Sequence, residues 1–247
     1  MLTIIHPYYE NPTMFRLQQE EWEEYPFWLK EKIEFIVVDD GSPDFPALDN
    51  VVVPRSFKFR LYRIKVDVRW NWLACRNLAA KKAKKGWLLL TDMDHMVRRG
   101  AAEMIVRMIE RDKVSRKCAY NLAREDVPDY TPYKPHPNTW LVWKGFYWKA
   151  GGYDETFSGY YGTDAAFRRR VVMNMDPNKI GKGFELFQKV PLIQNVKVTR
   201  YPGDVVPDAR TTRYERKTAK DIAIKRELQR SIVRQTKTLT FPWERLV

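Results

Sequence analysis

Three short apolar runs, separated by segments with helical periodicity, constrain the fold of this chain more than any other feature. Leu2–Ile5, Ile33–Val38 and Trp87–Leu90 are each almost continuously apolar. Runs of this kind are typical of strands that are buried on both faces of a parallel sheet. Helices are predicted after the first run, before the third and after the third, over residues 12–24, 70–85 and 100–111. The alternation predicts an α/β fold with a mainly parallel, twisted sheet flanked by helices.

Acidic residues follow two of these runs. Asp39 and Asp40 come at the end of the second run, and Asp92 and Asp94 come directly after the third. In parallel sheets ligands bind outside the carboxyl ends of the strands, and hard divalent cations prefer oxygen ligands. The pattern therefore predicts a ligand site with a divalent cation, although Asp92 or Asp94 could instead cap the helix that begins near Gly100.

The second half of the chain is less regular. Three prolines predict an extended loop over residues 130–138, followed by a strand at Thr139–Trp143 and a helix at Asp164–Met173. Residues 174–200 show no clear pattern, and a basic helix is predicted over 214–235. We expect one domain over residues 1–200, with halves at 1–100 and 101–200, and a basic helical extension over 201–247.

Composition excludes several classes of protein. Of the 247 residues, 44% are hydrophobic and 14% aromatic, which disfavours a disordered chain. The apolar runs are too short to cross a bilayer, and no basic region precedes Leu2, so no signal peptide is predicted. Two cysteines, Cys75 and Cys118, make neither a disulfide framework nor a CxxC metal motif. These features predict a soluble cytoplasmic protein, in the host cytoplasm if the source is viral.

Positive charge is concentrated in one part of the chain. The net charge is +13, and residues 55–85 hold 11 basic side chains against one acidic side chain, Asp67. Such a block favours a polyanionic partner, either a nucleic acid or an anionic membrane surface. A solvated face without a partner is the alternative interpretation.

Five motifs in order resemble those of family 2 glycosyltransferases with the GT-A fold. They are Ile5-His6-Pro7-Tyr8-Tyr9-Glu10-Asn11, Val37-Val38-Asp39-Asp40-Gly41-Ser42, Arg76-Asn77 with Ala80, Leu89-Leu90-Thr91-Asp92-Met93-Asp94, and Lys149–Phe157 followed by Gly159–Asp164. The match runs from about residue 2 to residue 170. The resemblance implies a transferase that moves a sugar from a nucleotide-sugar, usually a UDP-sugar, with the help of Mn²⁺ or Mg²⁺.

On the donor side, the resemblance implies that Pro7 and Tyr9 line the nucleobase pocket. Asp39 would accept a hydrogen bond from the base, and Arg76 would hold the nucleotide. Asp92 would contact the ribose and the metal.

The resemblance also assigns the metal and the reacting centre. Asp94 would be the direct metal ligand, and Gly151 and Gly152 would let the backbone approach the donor sugar. Asp154 would bind sugar hydroxyls. Asp164 would be the general base that takes the proton of the acceptor hydroxyl.

Two departures from the family pattern concern these roles. Thr163 stands where relatives commonly carry a carboxylate beside the base, and the three histidines, His6, His95 and His136, all precede Asp164. Many relatives supply a later histidine to the metal. Water, a carboxylate or His95 would complete the coordination instead.

The basic residues suggest the acceptor. We expect a hydroxyl on a nucleic acid, with a hydroxymethylated pyrimidine in viral DNA as the chemical case. The predicted acceptor contacts are Lys81, Lys82, Lys84, Lys85, Arg168, Arg169 and Arg170. One alternative is a peripheral-membrane transferase of cell-surface polysaccharide synthesis, and another is a non-catalytic nucleic-acid-binding protein.

Overall fold

The computed structural model describes residues 1–52, 56–160, 164–175, 190–203 and 236–247. Thr163 and the predicted helix over 214–235 lie outside these residues. The described part contains ten strands and six α-helices. The strands are β1 (Leu2–Tyr8), β2 (Ile33–Asp39), β3 (Lys58–Ile64), β4 (Trp87–Leu90), β5 (His95–Met96), β6 (Ala119–Asp126), β7 (Thr131–Tyr133), β8 (Trp140–Trp143), β9 (Leu192–Arg200) and β10 (Trp243–Arg245). The helices are α1 (Pro12–Glu23), α2 (Phe27–Lys30), α3 (Trp72–Lys82), α4 (Arg99–Glu110), α5 (Lys144–Lys149) and α6 (Asp164–Met175).

The sheet has the strand order β10-β3-β2-β1-β4-β8-β6-β9-β5, with β7 paired to β6. Strands β3, β2, β1 and β4 are parallel, so their carboxyl ends meet at one edge. Strand β8 runs antiparallel to β4 and to β6, and β9 runs parallel to β6. The predicted α/β class with a mainly parallel sheet is confirmed.

Alternating side chains of the central strands build two hydrophobic layers. Ile4, with Phe35 and Leu89 beside it in register, faces the layer that includes side chains of α1 and α4. Ile5 and Leu90 face the other layer, which contains side chains of α3, α5 and α6. Burial on both faces is the reason that these strands are continuously apolar.

The structure corrects two expectations outside the central sheet and assigns a strand to a segment that showed no clear pattern. The predicted loop over residues 130–138 contains β7, and the ambiguous segment 174–200 contains β9. The end of the predicted helical extension is a strand, β10, which pairs antiparallel with β3. Residues 243–245 therefore belong to the sheet of the domain.

Candidate active site

The acidic motifs lie together at the carboxyl edge of the sheet, as the strand pattern predicts. Asp39 is in register with Tyr8 at the end of β1, and the Thr91 N–H donates to the carbonyl of Ile5 (3.1 Å) just before Asp92. Helix α3 begins near this edge and carries Arg76 beneath it. The candidate site is therefore formed by loops that leave β1, β2 and β4.

Arg76 holds the carboxylate of Asp92. Its Nη2 donates to Asp92 Oδ1, and its Nη1 donates to the Asn138 carbonyl (2.6 Å) and to the Tyr153 hydroxyl (3.0 Å). The guanidinium carbon also lies 4.9 Å from the ring centroid of Trp72. Because Arg76 is fully buried (0% exposed), its placement favours orientation of Asp92 over the predicted direct contact with a nucleotide.

Asp92 is ionised and stands beside two histidines. Burial raises its pKa, but Arg76 and then His136 outweigh burial, and the pKa lies below its ordinary value. One ligand atom from each of Asp92, His95 and His136 lies within 4.8 Å of the others. The His136 Nδ1 is 3.5 Å from Asp92 Oδ2, and the centroids of the two imidazole rings are 4.4 Å apart. This group has the donor set of a metal site.

The two histidines differ in their hydrogen bonds: His136 Nδ1 accepts from the Asn138 N–H (3.4 Å), whereas one ring nitrogen of His95 is left for a metal. Burial lowers the pKa of His136 to about 4, so its imidazole is neutral at neutral pH. His95 Nε2 is buried and has no hydrogen-bond partner among the described residues. One carboxylate and two imidazoles suit Mn²⁺ and other first-row transition metals better than Mg²⁺, which prefers oxygen ligands. The residues present therefore fit a divalent cation.

Asp94 lies beside the group of three residues and contacts His95. Its Oδ1 lies 2.7 Å from His95 Nδ1, and its Oδ2 lies 3.7 Å from Arg200 Nε. A carboxylate that accepts the Nδ1–H of a metal-binding histidine fixes the tautomer and leaves Nε2 free for the metal. The geometry groups Asp92 with His95 and His136 and brings Asp94 into contact with His95, and the predicted Asp92–Asp94 metal pair stays a prediction.

The sequence did not predict His136 as a metal ligand, because it lies in the proline-rich segment between β7 and β8, far from Asp92 in sequence. No spacing rule links such a residue to the acidic motif. Only the antiparallel return of β8 beside β4 brings it to the carboxyl edge.

The two neighbouring aspartates after β2 have different environments. Asp39 is fully buried, and its carboxylate accepts hydrogen bonds from the N–H groups of Ser42 (2.8 Å) and Ala47 (2.9 Å), which closes the loop. Asp40 is also buried, but its Oδ1 has no hydrogen-bond partner in the described part of the chain. Burial raises the pKa of Asp40 well above its usual range, and a ligand N–H at Oδ1 would stabilise the ionised form. The unsatisfied oxygen makes Asp40 a better candidate than Asp39 for contact with a base.

Of the other two predicted base contacts, one is buried in the sheet and one is at its surface. Pro7 is a buried residue of β1, in register with Val38. Tyr9 is half-buried beyond the end of β1, and its hydroxyl donates to Asp67 Oδ1 (3.2 Å). Asp67 also contributes to the electrostatic environment of Asp40, so Tyr9, Asp40 and Asp67 share one corner of the carboxyl edge.

The Gly151–Asp154 segment packs against the protein itself. Both glycines have positive φ values, +85° for Gly151 and +60° for Gly152. A Cβ atom on Gly151 would lie 2.9 Å from Thr236 Oγ1, and one on Gly152 would lie 2.8 Å from Asn77 Oδ1. Asp154 Oδ1 accepts from Thr156 Oγ1 (2.8 Å) and from the Lys237 N–H (3.3 Å). These contacts account for the motif without the predicted approach to a donor sugar.

Asp164 is the first residue of α6 and is half-buried. Its charge and that of Asp92 both act on the hydroxyl of Tyr153, whose pKa burial raises to about 12. Both carboxylates thus influence the same buried hydroxyl, and the predicted role of Asp164 as general base stays a prediction.

The three arginines after Asp164 differ in their contacts. Arg168 is 4% exposed, and its Nη2 donates to the Pro137 carbonyl (3.4 Å). Arg170 donates to the carbonyls of Ala150 (3.0 Å) and Gly152 (2.6 Å). These bonds disfavour the predicted role of Arg168 and Arg170 in binding a nucleic acid, whereas Arg169 is half-buried in the middle of the helix.

The predicted acceptor lysines lie at the opposite edge of the sheet. Helix α3 runs from the carboxyl edge back to the amino edge, where Lys81 and Lys82 end the helix and Lys84 and Lys85 precede β4. The Nζ of Lys82 lies 3.8 Å from the ring centroid of Trp243 in the edge strand β10. Asp92 lies at the carboxyl ends of the strands and the four lysines lie at the amino ends, so the length of the strands separates them.

Comparisons with known proteins agree with this architecture. The model of the family "Glycosyl transferase family 2" matches residues 21–176, which is more than half of the chain. The chain belongs to this family. The predicted family is confirmed.

Solved structures show the same fold at low sequence identity. S. aureus TarS 1–349 is 13% identical, with a TM-score of 0.63 over 83% of this chain and 61% of TarS 1–349. TarS 1–349 has also been solved with UDP-GlcNAc, and that structure gives the same identity and TM-score. A mannosyltransferase from Pyrobaculum calidifontis, solved with GDP-Man and Mn²⁺, is 14% identical with a TM-score of 0.56, over 81% of this chain and 56% of the other.

The family 2 chain is thus shorter than these neighbours and spans about three fifths of TarS 1–349. A search of the curated proteins found no match to it. Within the described residues, no helix is long and apolar enough to cross a membrane.

Proposed function

We propose that this family 2 chain transfers a sugar from a nucleotide-sugar, with a UDP-sugar as the first candidate, to a hydroxyl acceptor by single displacement. The proposal depends above all on one observation: Asp92, His95 and His136 converge at the carboxyl edge, and His95 Nε2 has no hydrogen-bond partner in the part of the chain that the structure describes. Structural neighbours solved with UDP-GlcNAc and with GDP-Man and Mn²⁺ support a nucleotide-sugar donor.

Each residue of the site has a distinct task in this proposal. Asp92, His95 and His136 would hold the cation, and a bound Mn²⁺ would screen the negative charge of the diphosphate leaving group. Arg76 orients Asp92, and Asp94 orients His95 by accepting its Nδ1–H. Asp40 would accept a hydrogen bond from the base of the nucleotide.

Asp164 would act as the general base. In the transfer step the acceptor oxygen forms a bond to the anomeric carbon, and the bond from that carbon to the diphosphate oxygen breaks. The electron pair leaves with the nucleoside diphosphate, and the proton of the acceptor hydroxyl passes to the Asp164 carboxylate. Displacement from the opposite side inverts the configuration of the anomeric carbon.

Calorimetry with UDP-sugars in the presence and absence of Mn²⁺ tests donor binding. We expect heat of binding that depends on Mn²⁺ in the native chain and is lost in Asp92→Ala and His136→Ala. Metal-independent binding, or no binding of any nucleotide-sugar, would contradict the proposed site.

For the acceptor we propose a hydroxymethylated pyrimidine in DNA, because the chain carries a net charge of +13 and ordinary DNA bases offer no alcohol. The enzyme would flip such a base out of the duplex to reach Asp164. Mass spectrometry of modified and unmodified DNA, incubated with a panel of nucleotide-sugars, tests this acceptor. Transfer to a cell-surface glycan but not to DNA would favour the membrane-associated alternative.

A further inference from the structure

Three segments of the chain meet at the amino edge of the sheet, on the side away from the candidate active site. In register, Leu88 of β4 pairs with Val142 of β8, which pairs with Ala119 of β6. The residues just before β4, just after β8 and just before β6 therefore lie side by side, with strand spacings of about 5 Å.

Hydrogen bonds hold these segments together. The Lys144 N–H donates to the Gly86 carbonyl (3.0 Å), and the Lys144 Nζ donates to the Lys81 carbonyl (3.1 Å). The Trp87 N–H donates to the carbonyl of Met1 (3.0 Å), so the start of the chain borders the same edge. The guanidinium carbon of Arg116 lies 4.5 Å from the ring centroid of Trp143.

The three segments carry basic side chains and no acidic ones. We define the amino-edge basic surface as Lys81, Lys84, Lys85, Lys113, Arg116, Lys117 and Lys144. All are exposed except Lys144, which is half-buried. None of the seven forms an ion pair with a carboxylate of the described residues. Residues 81–91, 113–124 and 140–149 contain no Asp or Glu.

Other lysines of the described residues form ion pairs with carboxylates, which the lysines of this surface do not. Lys65 pairs with Glu244 (3.2 Å) and Lys197 with Glu125 (3.1 Å). At the amino-edge basic surface the cations instead face one another: burial, Lys81 and Arg60 lower the pKa of Lys144, and Glu34 offsets only part of this effect. Clustered cations repel, and a bound polyanion would relieve that repulsion.

We propose that the amino-edge basic surface binds the phosphodiester backbone of a nucleic acid at a position separate from the active site. Phosphate contacts by lysine and arginine release counterions and dominate nucleic-acid affinity. Met1, which borders this surface, is 39% exposed, but none of the large exposed apolar side chains of the described residues comes from residues 81–91, 113–124 or 140–149. The absence of such side chains from these segments disfavours insertion into a membrane, which requires a buried apolar face.

The position of the surface has a consequence for the acceptor. Strand β1 has 7 residues, so the two edges are about 20 Å apart. A nucleic acid that reached both edges would be held at one point and modified at another. The binding itself requires neither the donor nor the metal, so it can fail or succeed independently of the proposed reaction.

Fluorescence anisotropy with a labelled DNA duplex and a labelled single strand, titrated over a range of salt concentrations, tests the proposal. The variant K81Q/K84Q/K85Q removes three charges from the surface, and K65Q/K197Q/K237Q removes three exposed charges elsewhere as a matched control. We expect the first variant to lower the slope of log affinity against log salt by about 0.7 to 0.9 for each lysine that contacts phosphate. The control variant should retain the native slope.

A single substitution and a test of folding distinguish loss of phosphate contacts from unfolding. Arg116→Gln, on a different segment, should weaken DNA binding on its own, and melting curves check that each variant is folded. The proposal is overturned if the native chain does not bind DNA at low salt, or if both triple variants weaken binding equally through net charge alone. Binding to anionic vesicles without binding to DNA would also overturn it and identify a membrane surface.

Discussion

Replacement of Asp94 by alanine separates the two roles that this residue could have at the metal site. In the structure the Asp94 carboxylate contacts the Nδ1 of His95 and faces Arg200. If Asp94 only orients His95, the three ligands Asp92, His95 and His136 remain in Asp94→Ala. The variant should then bind the metal less tightly, but it should still bind.

The expected magnitude follows from the kind of contact that is lost. Removing the partner that orients a metal-binding histidine typically weakens metal binding by 10 to 100-fold. At about 1.4 kcal/mol for each factor of ten, this corresponds to roughly 1.4 to 2.8 kcal/mol. Asp94→Asn should lose less affinity, because the amide oxygen can still accept the Nδ1–H of His95.

Titration of Mn²⁺ into the protein in the presence of UDP, followed by electron paramagnetic resonance, measures free and bound metal directly. Arg200→Gln is the control: Arg200 pairs with His95 through the backbone of β5 and β9, while its side chain reaches only Asp94 Oδ2 and Asp126 Oδ2 in the described bonds, so the change leaves the Asp94–His95 contact in place. Complete loss of Mn²⁺ binding in Asp94→Ala, equal to that in His136→Ala, would show that Asp94 is a ligand and would refute this reasoning. Unchanged affinity would refute it as well.

Three further predictions concern the base, the nucleotide contact and stability. Asp164→Asn should keep donor affinity and lose turnover, measured by calorimetry and by product formation, and a near-native rate would exclude Asp164 as the base. Asp40→Asn should weaken UDP binding, whereas Asp39→Asn should mainly lower the melting temperature, because Asp39 closes its loop with two N–H donors. Glu155 is buried and accepts hydrogen bonds from Asn77 Nδ2 (2.8 Å) and from the backbone N–H groups of Leu239 (2.7 Å) and Thr240 (2.7 Å). Glu155→Gln should therefore destabilise the fold by about 2 to 4 kcal/mol and lower the melting temperature by roughly 4 to 16 °C; a shift below a degree or two would contradict the importance of this contact.

Much of the fold could be predicted because local patterns and long-range packing agree in the first half of the chain. The runs that contain Ile4, Val37 and Leu89 are apolar since both of their faces are covered. Asn11 accepts a hydrogen bond from the Met14 N–H (3.2 Å) and begins α1, with Pro12 at the first helical position. Apolar runs and helix-start residues are local features, so they can be identified from the sequence alone.

The partners of each side chain could not be found in the same way. Sequence placed Asp39 and Asp94 in motifs, but a motif does not say which of two adjacent carboxylates turns inward. Asp39 bonds to its own loop and Asp94 contacts the next residue, whereas Asp40 Oδ1 has no partner among the described residues and Asp92 lies beside His136. Which carboxylate bonds to a neighbouring protein group depends on the backbone conformation of a few loop residues, and the sequence pattern does not specify that conformation.

The sequence by itself determined the α/β class, the order of the central elements and the edge at which the acidic motifs meet, because each depends on periodicity or on strand direction. Only the tertiary structure decided that His136 joins Asp92 and His95, and that the lysines of α3 lie at the far edge of the sheet from them. Both are distances across the fold, set by how separate segments return and pack, and no local pattern encodes them.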